Sequence, residues 1–136
     1  MQNYKEIRWK QRFANFEKAF KQLKAAVDKF DELDDLSKEG LVQRFEYTFE
    51  LAKNTLKDFI ESKGENEKYS RDVLKKAFQL QIITDGEIWL EMLDKRNIMS
   101  HTYNKTTFVE VVTVIKEKYF SEIEKLIKFF KKENEQ

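Results

Sequence analysis

The sequence contains no cysteine, no proline, three glycines and a single histidine among its 136 residues. Without cysteine there is no disulfide framework, no thiolate nucleophile and no zinc site with sulfur ligands. A single histidine also excludes a two-histidine metal site within one subunit, so we expect neither a metal nor a cofactor. Because proline and glycine mark most turns, their scarcity argues against a sandwich or barrel built from many short strands.

Long hydrophobic runs and an excess of charge of one sign are also missing. No stretch approaches the roughly 18 apolar residues of a bilayer-spanning helix, and the N-terminus lacks the apolar segment of a signal peptide. We therefore expect a cytoplasmic protein with no membrane partner. The 26 basic residues nearly balance the 25 acidic ones, so the net charge alone indicates no polyanionic partner.

Apolar residues at helical spacing are abundant instead. Hydrophobic residues make up 40% of the chain and include 12 phenylalanines, and the length suits a single domain over residues 1–136. Near the N-terminus, apolar residues recur at alternating steps of three and four, which predicts a helix over about residues 3 to 33. The core side of that helix is predicted to consist of Trp9, Phe13, Phe16, Phe20, Leu23, Val27 and Phe30.

Capping residues predict where the later helices begin and end. Ser37, Ser70 and Thr107 are each expected to cap a helix, Thr84-Asp85-Gly86-Glu87 is typical of a capping box, and Gly64 ends the second helix. The core sides of these helices are predicted to include Leu41, Phe45, Phe49, Ala52, Leu56 and Phe59, then Val73, Leu74, Ala77 and Phe78, then Ile88, Trp89, Met92, Leu93 and Met99, and finally Phe108, Val112, Ile115, Tyr119, Ile123, Leu126 and Phe130.

Short connections between amphipathic helices force sequential helices to be neighbours of opposite direction. We therefore predict an all-α fold, an antiparallel four-helix bundle of up-and-down topology. A short extra helix is expected before the helix that leads into residues 94–104.

Residues 94–104 gather a strong base, amides, hydroxyls and the only imidazole of the chain. On a regular helix Asn97 and His101 share a face, whereas Arg96 and His101 diverge by about 140°. Arg96 and His101 can approach if the helix ends near Met99, or two subunits can each supply one half of a site. From composition alone, the segment is an ordinary polar helix end with a cation near the C-terminal carbonyls.

The pattern Arg96-Asn97-x-x-x-His101-x-Tyr103 resembles the RX4HXY signature of the HEPN superfamily. Within that superfamily it is most similar to the nucleotidyltransferase substrate-binding proteins and the HepT-like toxins among them. The flanking sequence agrees over about residues 40 to 104, in Phe45 to Asp58, Arg71 to Phe78 and Asp85 to Leu93. One departure is Lys53-Asn54, which stands where the family has an aromatic and a basic residue.

The resemblance implies a homodimeric four-helix bundle that pairs with a minimal nucleotidyltransferase as the toxin half of a toxin–antitoxin pair. In ribonuclease-active members, two motifs face one another across the dimer and cleave RNA without a metal. His101 would then be the general acid or base, Arg96 would hold the phosphate, and Asn97 would orient either of them. Tyr103 would be the site to which the partner attaches AMP. An imidazole that titrates near pH 6.5 and a bidentate guanidinium suit these roles.

Three functions stay open at this stage: an RNA-cleaving subunit controlled by a nucleotidyltransferase, a non-catalytic subunit that helps such an enzyme hold its substrate, and a plain helical interaction module. Arg96, His101 and Tyr103 together at a helix end favour the first two. The sequence leaves open whether the chain is itself an enzyme.

Other polar and aromatic residues receive simpler interpretations. Glu46 and Glu50 are interpreted as an acidic pair on a solvated face rather than as the lining of a groove for a partner. Trp9 and Trp89 are interpreted as core or dimer-interface residues rather than as platforms for stacking a base. The number of large aromatic side chains is itself a reason to expect a homodimer, with its interface near the motif helix.

Overall fold

The computed structural model describes residues 3–99 and 105–136, apart from the side chains of residues 97–99 and 105–106. Within these ranges every regular element is helical and no strand occurs, which confirms the all-α prediction. The elements are α1 (Tyr4–Asp28), a 3-10 turn (Phe30–Glu32), α2 (Asp35–Ser62), α3 (Ser70–Gln79), α4 (Gly86–Met99), α5 (Lys105–Val114), a π-helical segment (Ile115–Tyr119) and α6 (Phe120–Asn134).

The two longest helices, α1 and α2, run antiparallel and pack along their length. Near one end of the pair, Arg12 of α1 donates to the buried carboxylate of Asp58 at 2.9 Å. Near the other end, Arg44 of α2 donates to the backbone carbonyl of Gln22 at 2.9 Å. Low-numbered residues of α1 therefore meet high-numbered residues of α2, as the predicted up-and-down topology requires.

An aromatic cluster joins α1, α2 and α6 at one end of the bundle. The ring of Phe130 lies at its centre, 5.6 Å from Trp9, 5.6 Å from Phe13 and 5.4 Å from Phe59 between ring centroids. Trp9 meets Phe59 edge to face at 5.0 Å, an arrangement that aligns the positive edge of one ring with the negative face of the other. This cluster packs α6 against the α1–α2 pair.

The predicted core is largely confirmed, and the side chain of Met99, which was also predicted to be buried, lies outside the described residues. Both tryptophans are 1% exposed within this single chain, so the number of aromatic side chains does not argue for a second subunit. Phe78 is the clear error, because 52% of its surface is exposed on α3. Four other residues of the predicted core are only partly buried: Val27, Phe30, Ile88 and Phe108.

The predicted end of the second helix is confirmed, and the end of the first is wrong. Gly64 follows α2 with a φ of +90°, a conformation that glycine adopts without the Cβ clash of other residues. Helix α1 ends at Asp28 rather than near residue 33, and the chain then makes a 3-10 turn. Because such turns keep a nearly helical spacing, the apolar pattern alone does not distinguish them from a continued helix.

Two predicted N-caps are displaced by a nearby carboxylate. Asp34 caps α2, because its side chain accepts a hydrogen bond from the backbone N–H of Ser37 at 2.8 Å. Ser37 therefore donates to the cap and is not itself the N-cap residue. At α4, Asp85 accepts the backbone N–H of Ile88 at 3.2 Å, and Thr84 is not the cap. Aspartate caps as well as serine or threonine do, so residue type alone does not decide between them.

The other two predicted N-caps are also wrong. Tyr69 precedes α3 without any side-chain cap bond, and Ser70 is the first helical residue. Thr107 lies inside α5 (Lys105–Val114) and is therefore not its N-cap. The residue at the N-cap position of α3 therefore supplies no side-chain acceptor to the backbone N–H groups of the first turn.

Candidate functional site

Helix α4, which leads into residues 94–104, is held by contacts with its neighbours. The ring of Trp89 stacks on Phe49 of α2, with centroids 6.0 Å apart. On the opposite side, Arg71 of α3 donates to the carboxylate of Asp94 at 2.6 Å. The last turns of α4 are thereby anchored to both α2 and α3.

The C-terminal half of the chain adds a third anchor through its π-helical segment. Tyr119, the last residue of that segment, is fully buried, and its hydroxyl donates to Glu91 of α4 at 2.6 Å. Burial raises the pKa of Tyr119 well above its usual value, and the neighbouring Glu91 carboxylate raises it further. The phenol therefore stays protonated and acts as a permanent donor to α4.

Arg96 lies in the last turns of α4 and faces α2. Its Nη1 donates to Oε2 of Glu50, while Oε1 of the same carboxylate accepts from Lys53 at 2.6 Å. The guanidinium is 28% exposed and the Glu50 side chain 41% exposed, so this cluster lies at the protein surface without being fully solvated. Glu50 thus holds one nitrogen of a planar cation of the type that binds phosphate through two parallel hydrogen bonds.

The pKa values of Glu46 and Glu50, which lie on the same face of α2, are shifted in opposite directions. Burial raises the pKa of the Glu50 carboxyl, but hydrogen bonds and charge from Lys53 and Arg96 outweigh burial and leave the pKa below its usual value. One turn earlier, burial raises the pKa of Glu46, and the charge of Arg96 only partly opposes it. Glu50 is therefore stabilised in its ionised form, which pairs with Arg96. Burial makes the ionised form of Glu46 less favourable.

The interpretation of Glu46 and Glu50 as a solvated pair is wrong, because both residues are partly buried. The sequence contained one signal of this, because both glutamates alternate with the core residues Phe45 and Phe49, which places them at the edge of a buried face. The partner itself was not predictable from local spacing, since Glu50 and Arg96 are 46 positions apart.

Of the four predicted site residues, the structure describes the side chain of Arg96 alone. The side chain of Asn97 lies outside the described residues, as do His101 and Tyr103. The described part of the site is therefore the ion-pair cluster of Arg96, Glu50 and Lys53, which links α4 to α2.

The part of the chain that the structure describes bears on two further features, a metal site and a membrane-spanning helix. Over residues 3–99 and 105–136, no group of three or more histidine, aspartate or glutamate side chains is arranged to hold a metal ion. In the same ranges, no helix has both the length and the apolar character needed to cross a membrane. Trp9 and Trp89 are core residues, as predicted, and neither presents a ring for base stacking.

The pH dependence of stability distinguishes the two glutamates. We expect Glu50→Gln to lower the free energy of unfolding at pH 7 by up to about 1 kcal/mol, as for a partly exposed ion pair. Because the folded-state pKa of Glu50 is lowered, this stabilisation is present at neutral pH and is lost as the pH falls and Glu50 becomes protonated.

Glu46→Gln is the matched control, one turn away on the same helix. The raised pKa of Glu46 means that its ionisation costs stability at neutral pH, so this variant should be neutral or slightly stabilising at pH 7. Urea unfolding of both variants at pH 7 and pH 3.5 measures the difference. An equal change in the free energy of unfolding for the two variants at pH 7 would contradict the opposite pKa shifts of Glu46 and Glu50.

Comparisons with known proteins agree with the resemblance that the motif indicates. Residues 11–132 match the family described as nucleotidyltransferase substrate binding protein like. A curated protein of Haemophilus influenzae (strain Rd), described as probable ribonuclease HepT, is 31% identical over 81 residues, which make up 56% of each chain. The chain thus matches little more than half the length of that relative.

Proposed function

Since the chain belongs to the nucleotidyltransferase substrate binding protein like family, we propose that it is the HEPN-type partner of a minimal nucleotidyltransferase and the toxin half of a toxin–antitoxin pair. In this proposal two copies form a homodimer, and two RX4HXY motifs together cleave RNA without a metal. The observation that carries the proposal is Arg96, a guanidinium oriented by Glu50 at the end of α4, five positions before the only histidine.

The proposed reaction uses the 2′-hydroxyl of the RNA itself as the nucleophile. This oxygen attacks the adjacent phosphorus as its proton passes to a base, and the bond from phosphorus to the 5′-oxygen breaks as an acid delivers a proton to that oxygen. His101 takes or supplies the proton, and Arg96 offsets the charge that develops on the phosphate oxygens. The products are a 2′,3′-cyclic phosphate end and a 5′-hydroxyl end.

The proposed control of this activity is transfer of AMP to Tyr103 by the partner. The tyrosine oxygen attacks the α-phosphorus of ATP, a phosphodiester bond forms, and pyrophosphate leaves. The attached nucleotide brings a negative charge and a bulky base close in sequence to Arg96. It would compete there with the RNA phosphate, which makes the modification an off switch.

Tyr103→Phe should leave RNA cleavage intact and abolish silencing by the partner. The phenyl ring keeps the size of the side chain but lacks the oxygen that accepts AMP. The chain is co-expressed with the nucleotidyltransferase, incubated with ATP and examined by intact-mass spectrometry and RNA digestion. Tyr69→Phe is the matched control, because Tyr69 is 68% exposed and lies outside the motif. Equal AMP attachment to the wild type and to Tyr103→Phe would contradict the assignment of Tyr103.

A second candidate is a non-catalytic subunit that helps a nucleotidyltransferase hold its substrate, which the family description itself favours. This function requires stable association with the partner and an effect on the partner's activity, but no RNA cleavage. If the two chains co-purify, the partner depends on this chain, and RNA stays intact, the second candidate is the better account. A single domain over residues 1–136 and a cytoplasmic location stay predictions.

A further inference from the structure

A polar cavity lies between α2 and the start of α3, on the lysine side of the Arg96 cluster. Its volume is about 210 Å³. Nearly all of its lining residues are polar: Lys53, Asn54, Lys57, Lys68, Ser70 and Val73. It lies where Lys53-Asn54 departs from the family pattern, and neither the motif nor the proposed chemistry uses it.

The cavity has an excess of positive charge. Lys53 is largely buried and shares its charge with Glu50, whereas Lys57 and Lys68 form no ion pair with a carboxylate in the part of the chain that the structure describes. Ser70, the first residue of α3, belongs to the same lining. Asp72, also in the first turn of α3, adds one negative charge without lining the cavity. Three ammonium groups, an amide and a hydroxyl around one cavity are suited to an anion with several acceptor oxygens.

The size and lining of the cavity restrict the kind of anion. Sites for small organic ligands occupy roughly 300–1,000 Å³ and are mostly apolar, so this cavity suits a phosphate group better than a whole nucleotide. No aromatic side chain lines it, and no base could stack inside. Tyr69, adjacent in sequence to the lining residues Lys68 and Ser70, is 68% exposed and offers an aromatic ring outside the cavity.

The cavity is connected to the proposed cleavage site through shared side chains. Lys53 lines the cavity and donates to Glu50 at 2.6 Å, and the same carboxylate accepts from Arg96. A strand whose scissile phosphate meets Arg96 would therefore pass close to a second cationic site on the same face. The link between the cavity and Arg96 favours an RNA strand over a free inorganic anion, because only the strand would contact both sites.

We propose that this cavity binds a backbone phosphate of the RNA substrate, next to the phosphate held by Arg96. The inference rests on the proposed function and deepens it by assigning a substrate-binding subsite outside the motif. Lysines act here as point charges that recognise the backbone and not the sequence, so the subsite contributes affinity and register rather than base preference.

The double variant Lys57→Gln/Lys68→Gln tests the subsite. The probe is a short single-stranded RNA with 2′-O-methyl groups, which cannot be cleaved, and its binding to the full chain is followed by fluorescence anisotropy at several salt concentrations. We expect the Kd to rise about tenfold and the slope of log K against log salt to become shallower by about 0.7, as for one lost phosphate contact on a single strand. With unmodified RNA, KM should rise while kcat stays within about twofold.

The matched control is Lys18→Gln/Lys21→Gln, which makes the same change in net charge at exposed positions of α1. An equal loss of affinity in both double variants would overturn the subsite, because bulk charge would then explain the effect. Unchanged RNA binding with lost co-purification of the nucleotidyltransferase would also overturn it and assign the cavity to a protein contact.

These outcomes separate the subsite from the proposed function. If the wild type binds and cleaves RNA and Lys57→Gln/Lys68→Gln behaves like the wild type, only the subsite is wrong. If the wild type binds the methylated RNA and the double variant loses that binding, the subsite stands even where no cleavage is found. If the wild type neither binds nor cleaves RNA, the proposed function fails and the subsite fails with it.

Discussion

Replacing His101 by alanine should lower the rate of RNA cleavage by about 10²- to 10⁴-fold, the usual contribution of a positioned general acid or base. No second histidine in the chain can take over the proton transfer. The assay is digestion of RNA by the purified protein in the presence of EDTA, which also tests independence from a metal. Circular dichroism of the variant confirms that the loss of activity is not a loss of fold.

Arg96 and Arg71 allow a matched comparison of arginine-to-lysine variants inside and outside the motif. Arg96 and Arg71 each pair with a carboxylate across a helix contact, but only Arg96 belongs to the motif. Arg96→Lys should lower cleavage strongly, because a compact ammonium cannot reproduce a bidentate grip on phosphate, whereas Arg71→Lys should have little effect. If His101→Ala cleaves RNA as fast as the wild type, a contaminating nuclease is responsible and the non-catalytic binding subunit becomes the better account.

Replacing Phe130 by alanine should lower the free energy of unfolding by about 3–5 kcal/mol. Phe130 is fully buried and contacts rings from α1, α2 and α6, so its removal leaves a cavity where these helices meet. A loss of this size is a large share of the roughly 5–15 kcal/mol that stabilises a typical domain. Urea unfolding at 25 °C measures the change through the shift of the midpoint.

Phe78→Ala is the control of equal chemistry, because Phe78 is 52% exposed on α3. We expect Phe78→Ala to lower the free energy of unfolding by about 1 kcal/mol or less, because about half of the surface of Phe78 stays exposed to solvent in the folded protein. If both variants lost similar stability, the aromatic cluster would not be the main support of the bundle.

The helices and most of the core could be predicted because amphipathic periodicity reports directly on which face of a helix is buried. Phe78 was mispredicted for a related reason. It follows the fully buried Ala77 on the short helix α3 and lies about 100° further round that helix, so the two residues do not face the core together. Periodicity identifies the faces that can be buried, and tertiary packing decides which of them are.

The helix starts and the environment of Arg96 depend on information that local spacing does not contain. Asp34 and Ser37 are both good capping residues, and only the backbone path decides between them. Arg96 was predicted as a site residue from its motif, but its orientation by Glu50 arises from the packing of α4 on α2. A pair of residues distant in sequence is recognisable only after the helices have been placed.

The aromatic cluster has a consequence for how the protein is made. Helices α1 and α2 are adjacent in sequence and can pair on the ribosome, but Trp9, Phe13 and Phe59 complete their packing only against Phe130 of α6. At translation rates of about 5–20 residues per second, the roughly 70 residues between Phe59 and Phe130 take about 4–14 seconds to synthesise. During that interval the nascent chain exposes a large aromatic surface of the kind that chaperones bind. Closure of the core is therefore timed by the synthesis of α6 and not by the much faster pairing of neighbouring helices.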